Sequence, residues 1–235
     1  MSNSPYCINH DKKIVLIWSP KCACTSLFDG FVRNICNINT KNIICTRRYA
    51  IQKGFTKSDY DNIPKDYTIY FGVRDPFERI VSSYFNKFIL YNNRRLTGDQ
   101  LKFPAPHTLQ QMKIDYNTLT FNKLLDGMVV LNKKSCLDSH FKHQINKSNF
   151  KKIKYHPKLI IFDINNIPEI FQTGNKRNIT TKPQNPVYKD LCDELTCKID
   201  RKELVHSNFE SARKKVYEFY KSDYEILNKH GLYCN

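Results

Sequence analysis

The stretch KKIVLIWSPKCACTS, residues 12–26, joins a short apolar run to a turn that carries a lysine and two cysteines. The run at 12–18 is rich in β-branched residues, which is typical of a strand covered on both faces. In the next stretch, 25–36, apolar residues recur at helical spacing, and Thr25 or Ser26 is available as the helix cap. The sequence therefore predicts a strand, a tight turn and a helix in this order.

The same pattern returns further along the chain. The run YTIYFGV at 67–73 predicts a second buried strand, and FERIVSSYFNKFIL at 77–90 predicts a helix that begins near Pro76. A third strand is predicted at 158–163, KLIIFD, and a helical segment at 164–171. Strands that alternate with helices indicate an α/β fold with a P-loop-like parallel β-sheet flanked by helices. Ligands bind such sheets beyond the carboxyl ends of the strands.

The chain length suits a single sizeable core, which predicts one domain over all 235 residues. Residues 91–116 have little periodicity and two close prolines, which predicts a flexible loop or a lid over a substrate. A short helix is predicted at 119–130. A long amphipathic helix is predicted at 207–228, with Ser207 or Asn208 as its cap.

The chain carries 38 Lys and Arg against 22 Asp and Glu, a formal net charge of +16. A field of this sign attracts polyanions, anionic membranes or phosphate-bearing small molecules, although compositional bias and a solvated surface explain many lysines equally well. The nine cysteines are an odd number without a repeated spacing, which favours reduced thiols over a disulfide framework. The N-terminal residues lack an apolar signal core and no run is long enough to span a bilayer, which predicts a cytoplasmic protein.

The turn WSPKCACTS, residues 18–26, is a poor metal or redox site. Cys22 and Cys24 are separated by one residue, so they form no CxxC pair, and no Cys or His pair lies at a suitable distance downstream for zinc. A bound anion is better supported, because a strand-turn-helix junction points backbone amides and the helix dipole at it. The triphosphate-binding pattern GxxxxGK[ST] is absent, since the turn has no glycine and its lysine precedes the hydroxyls by four positions.

The second junction, RDPFERIVSSY at 74–84, also carries groups suited to phosphate. Arg74 follows the strand with a guanidinium group that can bind phosphate through two hydrogen bonds, and Ser82 lies two helical turns further on. Arg79 either contributes to the same site or pairs with a carboxylate in a structural role. Both basic junctions lie beyond the carboxyl ends of the predicted strands, where ligands of such sheets bind.

These two motifs resemble those of the sulfotransferases. PKCACTS is similar to the 5′-phosphosulfate loop, and PKxACT in particular resembles the Golgi carbohydrate sulfotransferases, the group that contains the chondroitin 4-O and HNK-1 enzymes. RDPFERIVSSY is similar to the family's 3′-phosphate motif, RDPxxRxxSxY. Weaker similarities follow in DSHFKHQ at 138–144, in NITTK at 178–182 and in the closing helix VYEFYKSDYEIL. The resemblance runs from about residue 12 to 228, and only the first two motifs are specific.

The resemblance implies the sulfotransferase fold, with residues 12–36 as the phosphosulfate-loop unit and 67–90 as the 3′-phosphate unit. It implies 3′-phosphoadenosine 5′-phosphosulfate as the donor, a sulfuryl group that passes in line to an acceptor hydroxyl, and no metal. The charge of Lys21 would stabilise the departing phosphate oxygen, and the amides of residues 22–26 would surround the phosphate. The residues implied in donor binding are Pro20, Lys21, Cys22, Ala23, Cys24, Thr25, Ser26, Arg74, Ser82, Thr180 and Thr181.

An acceptor hydroxyl benefits from a general base, and histidine is the commonest choice. The family has a histidine that is followed by an aromatic residue, and His140 matches it. His143 and His107 are the alternative candidates for the base. Glu78 and Asp75 are less suitable, since Asp75 is placed to cap its own turn. A histidine is also often a surface or core residue without a catalytic role.

Two departures from the family leave the acceptor and the location open. Golgi members have an N-terminal membrane anchor and often a cysteine pair after the motif histidine, whereas this sequence has no anchor and no cysteine between 137 and 191. The chain is therefore either a cytoplasmic enzyme or a catalytic fragment of a longer Golgi-lumen protein. The resemblance implies a carbohydrate or other hydroxyl-bearing acceptor and no nucleic acid. The Arg94 and Arg95 pair favours an acidic acceptor, unless it belongs to a solvated loop.

The residues alone leave other functions open. A kinase-like P-loop phosphotransferase would bind Mg-ATP, but no Walker lysine or Mg²⁺-binding aspartate has a suitable place. A non-catalytic binder of nucleic acid or sulfated glycan would use the net charge of +16, and its affinity would fall steeply with salt. A degenerate sulfotransferase that binds nucleotide without turnover lies between these alternatives.

Overall fold

The computed structural model describes residues 6–20, 22–38, 56–57, 63–84, 110–114, 121–133, 137, 140–145, 147–172 and 209–233. The chain divides into two compact units. The first contains the described residues of 1–75, 143–177 and 225–235, and the second those of 76–142 and 178–224. That the whole chain acts as a single domain stays a prediction.

A five-stranded sheet forms the centre of the first unit, with the strand order β3-β1-β2-β4-β5. The predicted α/β class is confirmed, because β2, β4 and β5 are adjacent parallel strands with helices between them in sequence. The sheet is nevertheless mixed, since β1 pairs antiparallel with both β2 and β3. The strands are β1 Tyr6–Asn9, β2 Ile14–Trp18, β3 Thr56–Lys57, β4 Thr68–Val73 and β5 Leu159–Asp163.

The parallel strands end in register at one edge of the sheet. Trp18 of β2 lies opposite Gly72 of β4, and Val73 of β4 lies opposite Asp163 of β5. The residues that follow each strand therefore leave the sheet beside one another. This edge carries both of the predicted anion-binding junctions.

Both faces of this sheet are covered, which explains why its central strands read as nearly continuous apolar runs. On one face, strand residues such as Val15 and Ile17 pack with Phe150 and Ile153 of the helix α4, Lys147–Ile153. The other face lies against the first helix, through the side chains Cys7, Leu16, Leu27, Phe28, Phe31, Val32, Ile35, Phe162 and Phe171. The sequence reading did not predict α4.

The predicted first helix is confirmed as α1, Cys24–Gly30, which continues as a π-helix over Phe31–Ile35. The predicted cap is wrong: the residue before the helix is Ala23, which makes no side-chain capping bond. Ala23 has left-handed backbone angles, φ 51° and ψ 30°, so the chain turns into the helix before it reaches the two hydroxyl residues.

The predicted helical segment at 164–171 is confirmed only in part. The structure has two separate 3₁₀ turns there, Ile164–Asn166 and Glu169–Phe171. Pro168 explains the break, because it has no amide hydrogen and disfavours helical angles at the preceding residue. Ile167 is indeed extended, with φ −60° and ψ 126°.

The described part of the second unit is helical, and most of its apolar core comes from α2, Pro76–Tyr84, α3, Phe121–Lys133, and α5, Phe209–Phe219. The predicted helices at 77–90 and 119–130 are confirmed as α2, Pro76–Tyr84, and α3, Phe121–Lys133, while residues 85–90 lie outside the described ranges. In the predicted loop at 91–116 the structure describes 110–114, of which 110–112 form a helical turn.

The predicted long helix at 207–228 is divided into α5, Phe209–Phe219, and α6, Lys221–Lys229. The break falls at Tyr220, whose carbonyl accepts the amides of both Asp223 and Tyr224, at 2.8 and 3.1 Å. A carbonyl shared in this way tightens the backbone locally and separates the two helices. The proposed cap residues 207 and 208 lie outside the described ranges.

Candidate functional site

The WSPKCACTS turn begins at the carboxyl end of β2. The Cys22 amide donates to the Ser19 carbonyl at 3.1 Å and closes the turn, and Lys21 lies outside the described residues. The first hydrogen bond inside α1 runs from the Leu27 amide to the Ala23 carbonyl at 2.9 Å. The first-turn amides therefore have no acceptor within the helix, and they point toward its N-terminus, where an anion is favoured.

The residues of this turn differ in exposure. Ser19 and Cys22 are buried, Ala23 is half-buried and Thr25 is exposed. Pro20, Cys24 and Ser26 are also half-buried. The hydroxyls at the start of α1 can therefore be reached by a ligand, whereas Cys22 has the contacts of a supporting residue. Its amide is already used within the turn, so it is less available to a phosphate than was expected.

Arg74 is the first residue after β4, the strand that pairs with β2. The residue is 9% exposed, so its guanidinium group lies in surroundings that strengthen its attraction for an anion. The structure therefore brings the WSPKCACTS turn and Arg74 to neighbouring strand ends within one compact unit. Asp163, the last residue of the third parallel strand, is used structurally: its carboxylate accepts the Asn165 amide at 2.6 Å and the Tyr233 hydroxyl.

Gln144 connects the two junctions, and the sequence reading did not single it out. Its Oε1 accepts the Arg74 amide at 3.1 Å, and its Nε2 donates to the Arg74 carbonyl at 2.7 Å. The same Oε1 accepts the Cys22 thiol at 3.4 Å, and the Gln144 carbonyl accepts the Ser19 hydroxyl at 2.5 Å. Gln144 is 3% exposed, so these contacts are shielded from water.

The remaining motif residues of α2 belong to the second unit. Ser82 is buried, and Arg79 is fully buried with its guanidinium carbon 5.9 Å from the centre of the Tyr220 ring. The Tyr220 hydroxyl donates to the Phe141 carbonyl. Burial raises the pKa of Tyr220, and Arg79 opposes this rise. Arg79 thus packs against the closing helices, which favours its structural alternative.

His140 also lies in the second unit, where its backbone carbonyl accepts the Ser83 hydroxyl at 3.1 Å. Its side chain is half-buried, as is that of His143, which lies in the first unit beside Gln144 in sequence. The role of either histidine as the general base stays a prediction. His107, Thr180 and Thr181 fall outside the described residues, so their predicted roles stay predictions.

The described cysteines Cys7, Cys22, Cys24 and Cys36 are thiols, as predicted. Burial raises the pKa of the Cys36 thiol. Within the described ranges there is no group of three His, Cys, Asp or Glu side chains placed to hold a metal ion. The same part of the chain contains no helix long and apolar enough to span a membrane.

An α/β sheet with two strand-to-helix junctions at neighbouring carboxyl ends has the arrangement that suits phosphate-bearing ligands. A sequence profile of the sulfotransferase family matches residues 4–230, nearly the whole chain, and the protein belongs to this family. Searches of curated proteins and of solved structures found no match. Membership of this family identifies the chain as a sulfotransferase. The matched region includes both motifs.

Proposed function

We propose that this protein transfers a sulfuryl group from 3′-phosphoadenosine 5′-phosphosulfate to a hydroxyl of a carbohydrate acceptor. The observation that carries the proposal is the position of the WSPKCACTS turn and Arg74 after neighbouring parallel strands. A donor with phosphate groups at both its 5′ and 3′ positions suits two adjacent anion-binding junctions better than a single anion does. Membership of the sulfotransferase family supports the same assignment.

The first junction would bind the 5′ end of the donor. The amides of Thr25 and Ser26 precede the first hydrogen bond of α1, and their side chains are exposed and half-buried, respectively. They can donate to phosphate oxygens from both backbone and hydroxyl groups. We assign Lys21 as the cation beside the departing phosphate oxygen, because it lies in the same turn.

The second junction would bind the 3′-phosphate. Arg74 offers a planar guanidinium group that matches two phosphate oxygens, and Ser82 is the hydroxyl that the family motif associates with it. Thr180 and Thr181 complete the proposed donor-binding residues. Binding at both ends would orient the sulfuryl group toward the acceptor, which supplies much of the rate enhancement in transfers of this kind.

The bound donor supplies the sulfuryl group and its leaving phosphate, and the protein supplies orientation and proton removal. His140 is the proposed general base for the acceptor hydroxyl, and His143 is the alternative. A positioned base contributes about 10²–10⁴-fold to such a step. The proposed reaction uses no metal.

Thermal unfolding tests donor binding with adenosine 3′,5′-bisphosphate and with buffer alone, both in the presence of EDTA, and with ATP in the presence of Mg²⁺. We expect the bisphosphate to stabilise the wild type, and Arg74→Ala to abolish most of this stabilisation. Arg33→Ala is the matched control: this arginine belongs to the same unit, pairs with Asp29 at 2.8 Å and lies in the π-helix that continues α1. Its bisphosphate shift should persist.

Greater stabilisation by Mg-ATP than by the bisphosphate would overturn the proposal and favour a phosphotransferase. Activity is then measured as transfer of radiolabelled sulfate to a panel of glycans, proteins and small alcohols. We expect glycans to be labelled, and His140→Ala to lower turnover by about 10²-fold or more. Labelling of proteins or small alcohols alone would overturn the carbohydrate assignment.

A further inference from the structure

We propose that Gln144 is a positioning residue that sets the separation between the two donor-binding junctions. This inference rests on the proposed function and adds a residue to it. Gln144 is buried, and it contacts both the turn after β2 and the residue after β4 within one compact unit. It does so from a segment that is distant in sequence, with Arg74 70 positions away and Ser19 125 positions away.

The carboxamide of Gln144 takes the place of a missing strand. In an extended chain the amide and the carbonyl of one residue point to the same side, where a neighbouring strand would pair with them. Beside Arg74 that neighbour is absent, because β2 ends at Trp18 and the chain then turns through Pro20. The Gln144 side chain offers one acceptor and one donor side by side, and it bonds both groups of Arg74 at 3.1 and 2.7 Å.

The other contacts of Gln144 reach the first junction. The Ser19 hydroxyl donates to its backbone carbonyl at 2.5 Å, and the Cys22 thiol donates to its Oε1 at 3.4 Å. Ser19 and Cys22 are also joined by the backbone bond that closes the turn. A displacement of either junction would therefore break hydrogen bonds that are buried, which makes it costly.

A fixed separation matters because the proposed donor binds both junctions at once. When the two sites are held at the correct distance, the second phosphate binds as an intramolecular event with a high effective concentration. If the sites move independently, each still binds a phosphate, but the gain from binding both is reduced. Gln144 should therefore affect the bisphosphate much more than either monophosphate.

The test compares adenosine 3′,5′-bisphosphate with adenosine 5′-monophosphate and adenosine 3′-monophosphate, using calorimetric titration of the full chain. Gln144→Met keeps the approximate volume and removes the donor and the acceptor. We expect its affinity for the bisphosphate to fall by about tenfold or more, and its affinities for the monophosphates to stay within about threefold of wild type. Gln172→Met is the control, since Gln172 is exposed and its side chain bonds the Ile167 carbonyl at 2.8 Å.

Two results would overturn the inference. One is a Gln144→Met protein that keeps the full advantage of the bisphosphate. The other is an equal loss for all three ligands, which would mean that Gln144 only supports folding. A wild type that does not prefer the bisphosphate would instead remove the proposed donor, and the inference with it, before any variant is compared.

A second variant keeps the inference testable if Gln144→Met does not fold. Ser19→Ala removes one hydroxyl that joins the first junction to the Gln144 carbonyl and leaves both Arg74 contacts in place. We expect bisphosphate affinity to fall selectively in this variant too, and by less than in Gln144→Met. No change in the ratio between bisphosphate and monophosphate affinities would contradict the inference.

Discussion

At the scale of single residues, Ala23 explains how the turn works without a glycine. Its φ of 51° is in the left-handed region, which costs a residue with a Cβ about 1–2 kcal/mol relative to glycine. Triphosphate-binding loops use glycine at positions where the backbone must turn in this way. Alanine at this position carries that cost in the folded state, and it restricts the backbone of the unfolded chain more than glycine would.

Ala23→Gly should leave the free energy of unfolding unchanged or raise it by up to about 1 kcal/mol, since relief of the left-handed conformation outweighs the added chain entropy. Ala212→Gly, in the interior of α5, is the control and should lower it by about 1 kcal/mol. Urea unfolding followed by circular dichroism measures both. A similar loss in both variants would show that position 23 does not adopt the left-handed conformation.

Tyr220→Phe tests the buried phenol at the break between α5 and α6. The variant leaves the Phe141 carbonyl without its donor, which should lower the free energy of unfolding at neutral pH by about 1–3 kcal/mol. Tyr217→Phe is the control, because Tyr217 is exposed and should change stability little.

The same variant carries a pH signature. Burial raises the pKa of Tyr220, so the folded state favours the protonated phenol. Its contribution to stability is complete below the ordinary tyrosine pKa of about 10 and is lost as the pH rises above that value. Urea titrations at about pH 8 and about pH 11 should therefore show a smaller loss of stability in Tyr220→Phe than in wild type. An identical pH dependence in both would refute this assignment.

Candidate binding residues that are marked by their type and position are easier to predict than residues that act through partners. Arg74 and the hydroxyls of the first turn stand out because they follow apolar strands and match a motif. Gln144 has no such signal: a single glutamine fits any surface, and its role depends on partners 70 to 125 positions away. The left-handed conformation of Ala23 was equally difficult to predict, because glycine, and not alanine, is the residue that usually adopts it.

At the scale of elements, a strand or a helix could be predicted when its apolar residues form a clear pattern in the sequence. The three parallel strands each form a compact apolar run, and all three were predicted within one or two residues of their observed bounds. β1 is harder to predict because it has only four residues, and these are buried through pairing with β2 and β3. The helix α4 is short and basic, and Phe150 and Ile153 are its buried apolar residues, too few to form a periodic stripe.

Gly30 marks the point where α1 passes into the π-helix. A Cβ at this position would overlap the backbone carbonyl of Phe171, which cannot move without displacing the second 3₁₀ turn. Gly30→Ala should therefore lower the free energy of unfolding by about 2–3 kcal/mol, despite the better helix propensity of alanine. Thermal and urea unfolding of the purified variant provide the measurement.

Gly127→Ala, in the interior of α3, is the matched control. Its Cβ would meet the Met112 side chain, with the sulfur 2.7 Å away, and that side chain can change rotamer. The gain in helix propensity offsets part of the cost, so the net change should remain within about 1 kcal/mol. Equal destabilisation by both substitutions would argue against close backbone contact at Gly30.

At the scale of the whole molecule, the net charge of +16 raises the concentration of any anion near the surface. The proposed donor binding at a buried arginine, Arg74, should depend less on salt than general attraction of polyanions does. Raising the ionic strength from about 0.1 M to about 1 M shortens the Debye length from about 10 Å to about 3 Å. Over this range we expect heparin binding to be abolished and stabilisation by adenosine 3′,5′-bisphosphate to persist in reduced form.

Thermal unfolding and heparin chromatography at both ionic strengths measure the two effects. Arg74→Ala serves as the control, since it removes one charge of the proposed site and should leave heparin retention nearly unchanged. If stabilisation by the bisphosphate and retention on heparin disappear together, the chain is a general polyanion binder.

The carboxamide of Gln144 also has a consequence for protein engineering. Grafting the WSPKCACTS turn from another family member would bring in a loop without the partner that fits it. A working hybrid would need matched residues at three distant places, around Ser19 and Cys22, at Arg74 and at Gln144. A crossover between Ser19 and Gln144 separates these places, so we expect functional chimeras to arise only when all three come from the same parent.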